Sequence, residues 1–426
     1  MFNRRDARFA ITAASLSFAA GLLAACGSST SGGSSSGSGG SGKTIQLYYA
    51  GPLTAGANSV GVQGCQGMKL GASDVNATGG VTKGSLKGAK FSVKCIDNNS
   101  SADTTASIAA KYVSDPNVWA LGGFYASGDA LAAGIVAQRQ NLPVIASNVA
   151  ADFLTTKVHN IYVLLPRLAA AGGAAADFGN AYYGAKKAAL LVPNFSFIAD
   201  YARGANQALS ADGVSLVSNQ TWPDGQTTNW AAYWTKIGAA GADYALVGGY
   251  PPEQCKIAAQ GRQQGNNQPI IDLTDSSTGD SCRKQAGAAY AGMIFGDLNP
   301  QNPPAGSLTE KAIKEFDGQY HTTMSYYAGN GYDTVLAVKY AIEAGAKSRD
   351  QLLKYLAQAK GPGVLGDIAF NGQRIGVRTL SFLEANKAGA LEPVGSYTLY
   401  PNNSWKRRSV AKCASRPTCQ TNLSKK

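Results

Sequence analysis

The sequence predicts an α/β fold: two lobes, each built on a parallel central sheet. Three observations lead there. From residue 44 to about residue 297, short runs of β-branched and aromatic residues alternate with stretches of helical period, which is the pattern of βαβ units. The alternation pauses near residue 165 and starts again, giving two halves of similar size. Once an N-terminal leader and spacer are set aside, about 380 residues remain, enough for two domains with cores of their own.

In the first half, residues 44–49 read as a strand followed by a Gly-rich loop to about Gly61. A helix then runs through Asn76, with Met68, Leu70, Ala72 and Val75 as its apolar residues, and Gly79-Gly80 stops it. Residues 91–96, 119–121 and 143–146 are the next strands, separated by helices over 103–114 and 127–139. In the second half, 161–165 leads into an Ala-rich helix ending at Tyr183. Strands follow at 188–192, 214–220, 244–247 and 270–273, with helices at 198–209, 230–239 and 252–264 between and after them. Pro252 suits the first turn of the last helix, where a missing N–H costs little. Each half is thus Rossmann-like. Later, helices are expected at 308–320, 331–345 and 350–358, and strands at 368–370 and 380–384 flank the turn Asn371-Gly372-Gln373. Beyond Pro401 the pattern is lost, and disorder is expected outside a small Cys413–Cys419 loop.

The start of the chain reads as an export signal. Arg4, Arg5 and Arg8 precede an uncharged apolar stretch from Phe9 to Leu23, which ends in Leu23-Ala24-Ala25-Cys26. The stretch is shorter than the ~20 residues of a membrane span. Residues 1–25 resemble a bacterial lipoprotein signal, which makes Cys26 the lipid-bearing first residue of the mature chain. Residues 27–42 hold only Gly, Ser and one Thr, a flexible spacer. The run from Gly37 to Thr44 fits the phosphate-loop pattern G-x-x-x-x-G-K-[ST]. That motif needs a strand before it and a helix after it, and here a spacer precedes it and a strand follows, so it is set aside.

The net charge of +12 is unevenly spread. Lys406, Arg407, Arg408, Lys412, Arg416, Lys425 and Lys426 all lie in residues 401–426, which contain no acid. The body is close to neutral. The basicity reads as a solvated tail with at most a weak attraction to anionic lipid, and nucleic acid is not expected as a partner. Setting Cys26 aside leaves six cysteines in an oxidising compartment. Six allow fifteen pairings, of which the sequential set Cys65–Cys95, Cys255–Cys282 and Cys413–Cys419 is expected. No C-x-x-C occurs, and His159 and His321 stand far from every cysteine, so no metal is expected.

In open parallel sheets, ligands bind outside the carboxyl ends of the strands. The loops there are 51–59, 97–101, 124–128, 147–150, 193–199, 248–253 and 274–278. Ser127 reads as a helix N-cap, where free N–H groups favour an anion. Tyr125, Tyr250, Phe195 and Phe197 offer flat apolar faces, and Asp275 would suit a ligand ammonium. Trp222, Trp230 and Trp234 read as core. No G-x-S-x-G or H-E-x-x-H is present, and no motif sets paired carboxylates in facing loops. The cleft therefore looks built to hold a solute without reacting with it, and no cofactor is expected.

These residues give the chain a resemblance to the branched-chain amino-acid-type solute-binding proteins of ABC importers, with the type I periplasmic binding-protein fold. It is carried by Gly51-Pro52-Leu53-Thr54, Gly67-Met68-Lys69-Leu70 and Val75-Asn76-Ala77-Thr78-Gly79-Gly80. Asp97-Asn98-Asn99, Gly122-Gly123, Leu142-Pro143-Val144-Ile145 and Gly248-Gly249-Tyr250 add to it, as do Gly331-Tyr332-Asp333 and the run from Gly366 to Asn371. It implies that residues 43–165 and 298–375 form lobe 1, that 166–297 and 376–400 form lobe 2, and that a three-crossing hinge joins them. It also implies a monomer that delivers a solute to an ABC permease in the cytoplasmic membrane from the periplasm or outer surface. By position, Tyr125, Ala126 and Ser127 would face a ligand carboxylate, with Asn148, Val149 and Ala150 beside it. Phe197 and Tyr250 would cover the ligand from lobe 2, and Asp275 would meet an ammonium.

The chain departs from the family where the solute is read. Asn148-Val149-Ala150 stands where a small hydroxyl residue is usual, Asn194-Phe195-Ser196-Phe197 replaces an Asp and a Tyr-Gly, and Thr274 competes with Asp275 for the acid's position. Small amides and aromatic carboxylates therefore join amino acids as candidate solutes. The rival readings are a sensory binding module for a membrane receptor, a secreted two-lobed enzyme and a structural surface lipoprotein.

Overall fold

The computed structural model describes residues 43–54, 57–147, 149, 154–194, 196–223, 229–249, 253–273, 280–299, 303–370 and 374–415. Cys26, and with it the whole leader and spacer, lies outside them.

Apart from its edge strand at residues 90–97, the first sheet is built from apolar strands largely buried on both faces, as parallel strands covered by helices must be. In chain order its elements are β1 (Thr44–Gly51), α1 (Asn58–Ala77), β2 (Lys90–Asp97), α2 (Ala102–Tyr112), β3 (Val118–Gly123) and α3 (Ser127–Ala137). Then come β4 (Val144–Ala146), the single turn α4 (Leu154–Lys157) and β5 (Ile161–Val163). The strand order is β2-β1-β3-β4-β5, with every pairing parallel.

The second sheet repeats the scheme. It takes α5 (Leu168–Tyr183), β6 (Lys187–Pro193), α6 (Ser196–Ala211), β7 (Ser215–Trp222), α7 (Ala231–Ala240) and β8 (Tyr244–Val247). It continues through α8 (Glu253–Gln263), β9 (Ile270–Asp272), α9 (Asp280–Ala286) and β10 (Ile294–Asp297). The chain then returns to the first unit as α10 (Leu308–Tyr320), α11 (Tyr326–Glu343) and α12 (Arg349–Leu356). There it also forms the small pair β11 (Lys360–Gly361) and β12 (Ile368–Ala369). Finally β13 (Arg378–Ala385), β14 (Leu391–Leu399) and β15 (Trp405–Val410) add antiparallel to the second sheet. The order there is β15-β14-β13-β10-β9-β8-β6-β7.

Glycine sets how closely the helices approach. A Cβ on Gly67 of α1 would sit 1.9 Å from the Ala328 carbonyl oxygen of α11. In the second unit a Cβ on Gly204 of α6 would sit 1.8 Å from the Ala169 oxygen of α5, and one on Gly172 would sit 2.0 Å from the Tyr201 oxygen. Trp222, Trp230 and Trp234 are buried in a core on the far side of the second sheet, where the Trp234 indole N–H donates to the Ile257 carbonyl at 2.8 Å.

Cys65–Cys95 joins α1 to β2, and Cys255–Cys282 joins α8 to α9. Cys413 is also disulfide-bonded, while Cys419 lies outside the described residues. Among the described residues no cluster of His, Cys, Asp and Glu could hold a metal, and no helix is long and apolar enough to cross a membrane.

The strands expected at 368–370 and 380–384 are present as β12 and β13, in different sheets: Ile368 and Ala369 pair with β11, and β13 pairs with β10 and β14. Three expectations are corrected. Helix α11 starts at Tyr326, not at 331, because Gly329 and Gly331 are contact points against Leu365 and Gly64, not breaks. The segment after Pro401 is not lost to disorder, since β15 and a short turn through Ser415 are formed. Finally, Ser127 is the first helical residue of α3, and Ala126 is the N-cap.

Candidate functional site

Each sheet reverses its strand order once on its parallel side, between β1 and β3 in the first and between β6 and β8 in the second. The crevice outside such a switch point is where open α/β sheets bind ligands.

At the first switch point, Ala50 lies beside Gly123, and Gly123 beside Ala146. Gly51, Gly64 and Gly123 close over the buried Tyr49 ring; a Cβ on any of them would come within 2.9 Å of it. Gly123 (φ 96°) and Phe124 (φ 66°) take the left-handed conformation in succession, and the Phe124 N–H donates to the Ala50 carbonyl at 2.7 Å. A buried Phe rarely adopts this conformation, and such strain gathers at functional sites. The turn lifts Tyr125, Ala126 and Ser127 out of the sheet.

Tyr125 is half-buried, and its ring centroid lies 6.3 Å from that of Tyr327 at the start of α11. Ala126 is exposed, and its carbonyl accepts from Asp129 N at 3.1 Å. Space is open around Gly128. Asp129 is buried, accepts from Asn98 Nδ2 at 2.8 Å and takes the Ala126 N–H. Burial pushes its carboxyl up, against the lowering effect of those two hydrogen bonds. Of the groups opening α3, the Ala126 N–H is thus used from within, while Ser127 and Gly128 form the first turn beside that open space. On β2, burial raises the Asp97 carboxyl, but hydrogen bonds from Thr54, Leu53 N and Asn99 N outweigh that and hold it low. Two of these, Leu53 N and Asn99 N at 2.9 Å each, stitch the loops after β1 and β2 together.

Ser147, directly after β4, turns inward, and its Oγ donates to the Gly123 carbonyl at 3.2 Å. Val149 is buried. The structure thus brings Tyr125, Ala126, Ser127 and the end of β4 to one place. Asn148, Ala150, Tyr250 and Asp275 lie outside the described residues, as does Phe195. Phe197 belongs to the first turn of α6, with its side chain outside the description.

At the second switch point, sequence reasoning missed Gln254 and Asp272. Both are buried beneath the ends of β8 and β9. Gln254 Nε2 donates to the Gly249 carbonyl at 2.9 Å and to Asp272 Oδ1 at 3.4 Å. The signal was available: Asp272 interrupts the apolar run Ile270-Ile271-Asp272-Leu273, and a carboxylate there is rarely buried unless bonded. A concavity of about 880 Å³ between α6 and β7 includes Asn194 but runs down the outer flank past Arg203, Asn206 and Asn219. It is not the switch-point crevice.

Chain crossings between the sheets are tied to one another. Val163 N donates to the Arg374 carbonyl at 2.8 Å, and Gly376 N donates to the Val163 carbonyl at 2.9 Å. Arg374 also binds the Val158 carbonyl at 2.6 Å and the Ile161 carbonyl at 3.2 Å. The β10 exit carries Asp297, whose carboxyl burial raises to about 7 even though Asn299 N and Leu298 N donate to it.

A family model described as "Periplasmic binding protein" matches residues 44–390. A curated relative, an amino acid binding protein of Pseudomonas aeruginosa, is 24% identical over 288 residues, or 66% of this chain and 75% of its own. The branched-chain amino acid transporter substrate-binding protein LivJ from Streptococcus pneumoniae, solved with isoleucine, superposes with a TM-score of 0.72 at 24% identity, covering 86% of this chain and all of LivJ. A solute-binding protein of an ABC transporter from Rhodopseudomonas palustris, solved with 3,4-dihydroxybenzoic acid, gives 0.68 at 20% identity, covering 87% and 98%.

Proposed function

This chain belongs to the periplasmic binding protein family, and from that premise we propose that it captures a small carboxylate-bearing solute for an ABC importer. The family is extracytoplasmic, and its relatives are substrate-binding proteins, not enzymes. The observation that carries the solute class is the opening of α3. Ser127 and Gly128 open α3 directly after the switch-point strand β3, with empty space beside Gly128, at the positive end of a helix dipole where N–H groups favour an anion. Isoleucine and 3,4-dihydroxybenzoate, bound by the two structural relatives, share a carboxylate and little else.

In this reading residues 43–165 with 298–375, and 166–297 with 376–400, are two lobes that close about the crossings after 165, 297 and 375. Tyr125 and Val149 line the first lobe's wall beside Asn148 and Ala150, while Phe197, Tyr250 and Asp275 approach from the second. The leader is cut before Cys26, whose lipid anchors the mature chain on a bacterial membrane, facing the periplasm or outer surface. An ABC permease is the partner, and the receptor works as a monomer. A thermal-shift series over aliphatic amino acids, their amides and hydroxybenzoates tests the solute class. A ligand at 100 times its Kd stabilises by about 2.7 kcal/mol. Shifts with amides but with no carboxylate would overturn the assignment.

A further inference from the structure

Strand β15 lies beyond the segment matched by the family model, and its charge is of one sign. Lys406, Arg407, Arg408 and Lys412 are all exposed, and no acid occurs anywhere in residues 401–426. Of these, Arg407 is neutralised by two hydrogen bonds to the Asp177 carboxylate at 3.0 and 2.6 Å. Arg408 Nε donates to the Thr398 hydroxyl at 2.6 Å, a neutral partner that leaves its charge uncompensated. Among the described residues, no carboxylate pairs with Lys406, Arg408 or Lys412. One or two charges suffice to guard an edge strand against pairing with another chain. Here the run of one sign continues past the strand through Lys412, Arg416, Lys425 and Lys426.

We propose that Lys406 and Arg408 of β15, together with Lys412 just after it, form a strip that rests on an anionic lipid bilayer. For a protein of an extracytoplasmic family that serves a membrane permease, the extended anionic surface at hand is the lipid bilayer, and clustered Lys and Arg are what anionic lipid attracts. The topology suits this orientation. β15 ends the second sheet on the side of β13 and β10, where the chain crosses between units, and β7 ends it on the other. Contact through β15 therefore leaves the β6–β8 switch point and its loops uncovered. The proposal does not depend on which solute is bound.

The test uses residues 43–426, which contain both buried cores, and so excludes the apolar leader and any lipid at Cys26. Co-sedimentation with phosphatidylglycerol/phosphatidylcholine vesicles at low salt should show binding that is lost with pure phosphatidylcholine and in about 0.5 M salt, conditions set by the screening argument. Each basic side chain near such a surface strengthens binding about fivefold. Lys406→Gln/Arg408→Gln/Lys412→Gln should therefore weaken it roughly 100-fold, and Lys406→Glu alone should weaken it at least fivefold. Equal sedimentation of parent and both variants, or equal binding to neutral vesicles, would overturn the proposal. So would variants that self-associate while keeping their vesicle binding, because the strip would then be edge protection only.

Discussion

Arg378 and Asp333 form a buried ion pair, Nη2 to Oδ2 at 3.2 Å, that joins the first residue of β13 to the middle of α11. It clamps the point where the chain leaves one unit and enters the second sheet. Asp333 also accepts from Val364 N at 2.7 Å, and Arg378 reaches the Asp367 carbonyl at 3.4 Å. Burial raises the Asp333 carboxyl to about 6 although Arg378 and the amides pull it down. Breaking one side strands the other charge in the interior. Asp333→Asn should therefore cost about 3–5 kcal/mol in denaturant unfolding. Arg378→Met added to it should recover part of that loss, and a double variant less stable than the single would contradict this account.

Asp297 is the second buried carboxyl at a crossing, and burial holds it near 7. The sign follows from proton counting. Between the ordinary aspartate value and 7 the folded chain holds a proton that the unfolded chain has released, so stability falls as pH rises through that window. Asp333 adds the same sign up to about 6. Unfolding free energy should thus be higher at about pH 5 than at about pH 7.5, and Asp297→Asn should flatten much of the slope. A variant with an unchanged slope would remove Asp297 as its source.

Helix contacts made through glycine backbones leave no room for a methyl group. Gly67→Ala drives a Cβ against the Ala328 carbonyl, and Gly204→Ala drives one against the Ala169 carbonyl. Each should cost about 1–3 kcal/mol or more, as overpacking does. Gly318 lies within α10, and nothing stands within 4 Å of the place a methyl group would take there. Gly318→Ala should therefore stabilise by roughly 0.5–1 kcal/mol. Melting temperatures of the three variants give the ranking directly.

The alternation of strands and helices was legible because buried parallel strands are continuous apolar runs with little to confuse them. What escaped was the end of the chain. β14 contains Pro393 and Gly395, which read as breakers, yet the register shift against β13 falls between the partners of those two residues. A bulge is where a strand tolerates proline. β15 escaped because Lys406, Arg407 and Arg408 hide the alternation that Trp405 and Arg407 make against α5. At the site, Tyr125 to Ser127 could be placed because they follow a strand directly. Asp272 showed itself only as a carboxylate interrupting an apolar run, and its partner Gln254, like the Asn98 partner of Asp129, lies too far along the chain to be read from local pattern.

The α3 opening gives the sharpest binding test. Ser127→Ala removes one hydroxyl from the proposed carboxylate site and should weaken the best ligand about fivefold to tenfold, the worth of roughly one hydrogen bond. Ser127→Asp places a negative charge where the ligand's charge would sit and should weaken it by roughly 100-fold or more. An acidic residue in a first turn favours the helix itself, so melting without ligand should hold for this variant. Calorimetry showing equal affinity for both variants would move the solute away from α3.

Strand β15 should prove structural as well as charged, and helix and strand periods explain why. Gly173 and Asp177 lie four apart on α5, one turn, while Trp405 and Arg407 lie two apart on β15 and so point to one face. The Trp405 ring lies over Gly173, where a Cβ would come within 2.2 Å of it, and Arg407 meets Asp177 one turn on. The Arg407 side chain is 46% exposed, so Arg407→Gln should cost no more than about 1 kcal/mol. The indole covers apolar helix surface, and Trp405→Ala should cost about 2–4 kcal/mol, near the range for large aromatic truncations. Deleting residues 401–426 also strips β14 of its outer partner and should cost more than either substitution. A truncated chain as stable as the parent in urea would return residues 401–415 to the status of a dispensable tail.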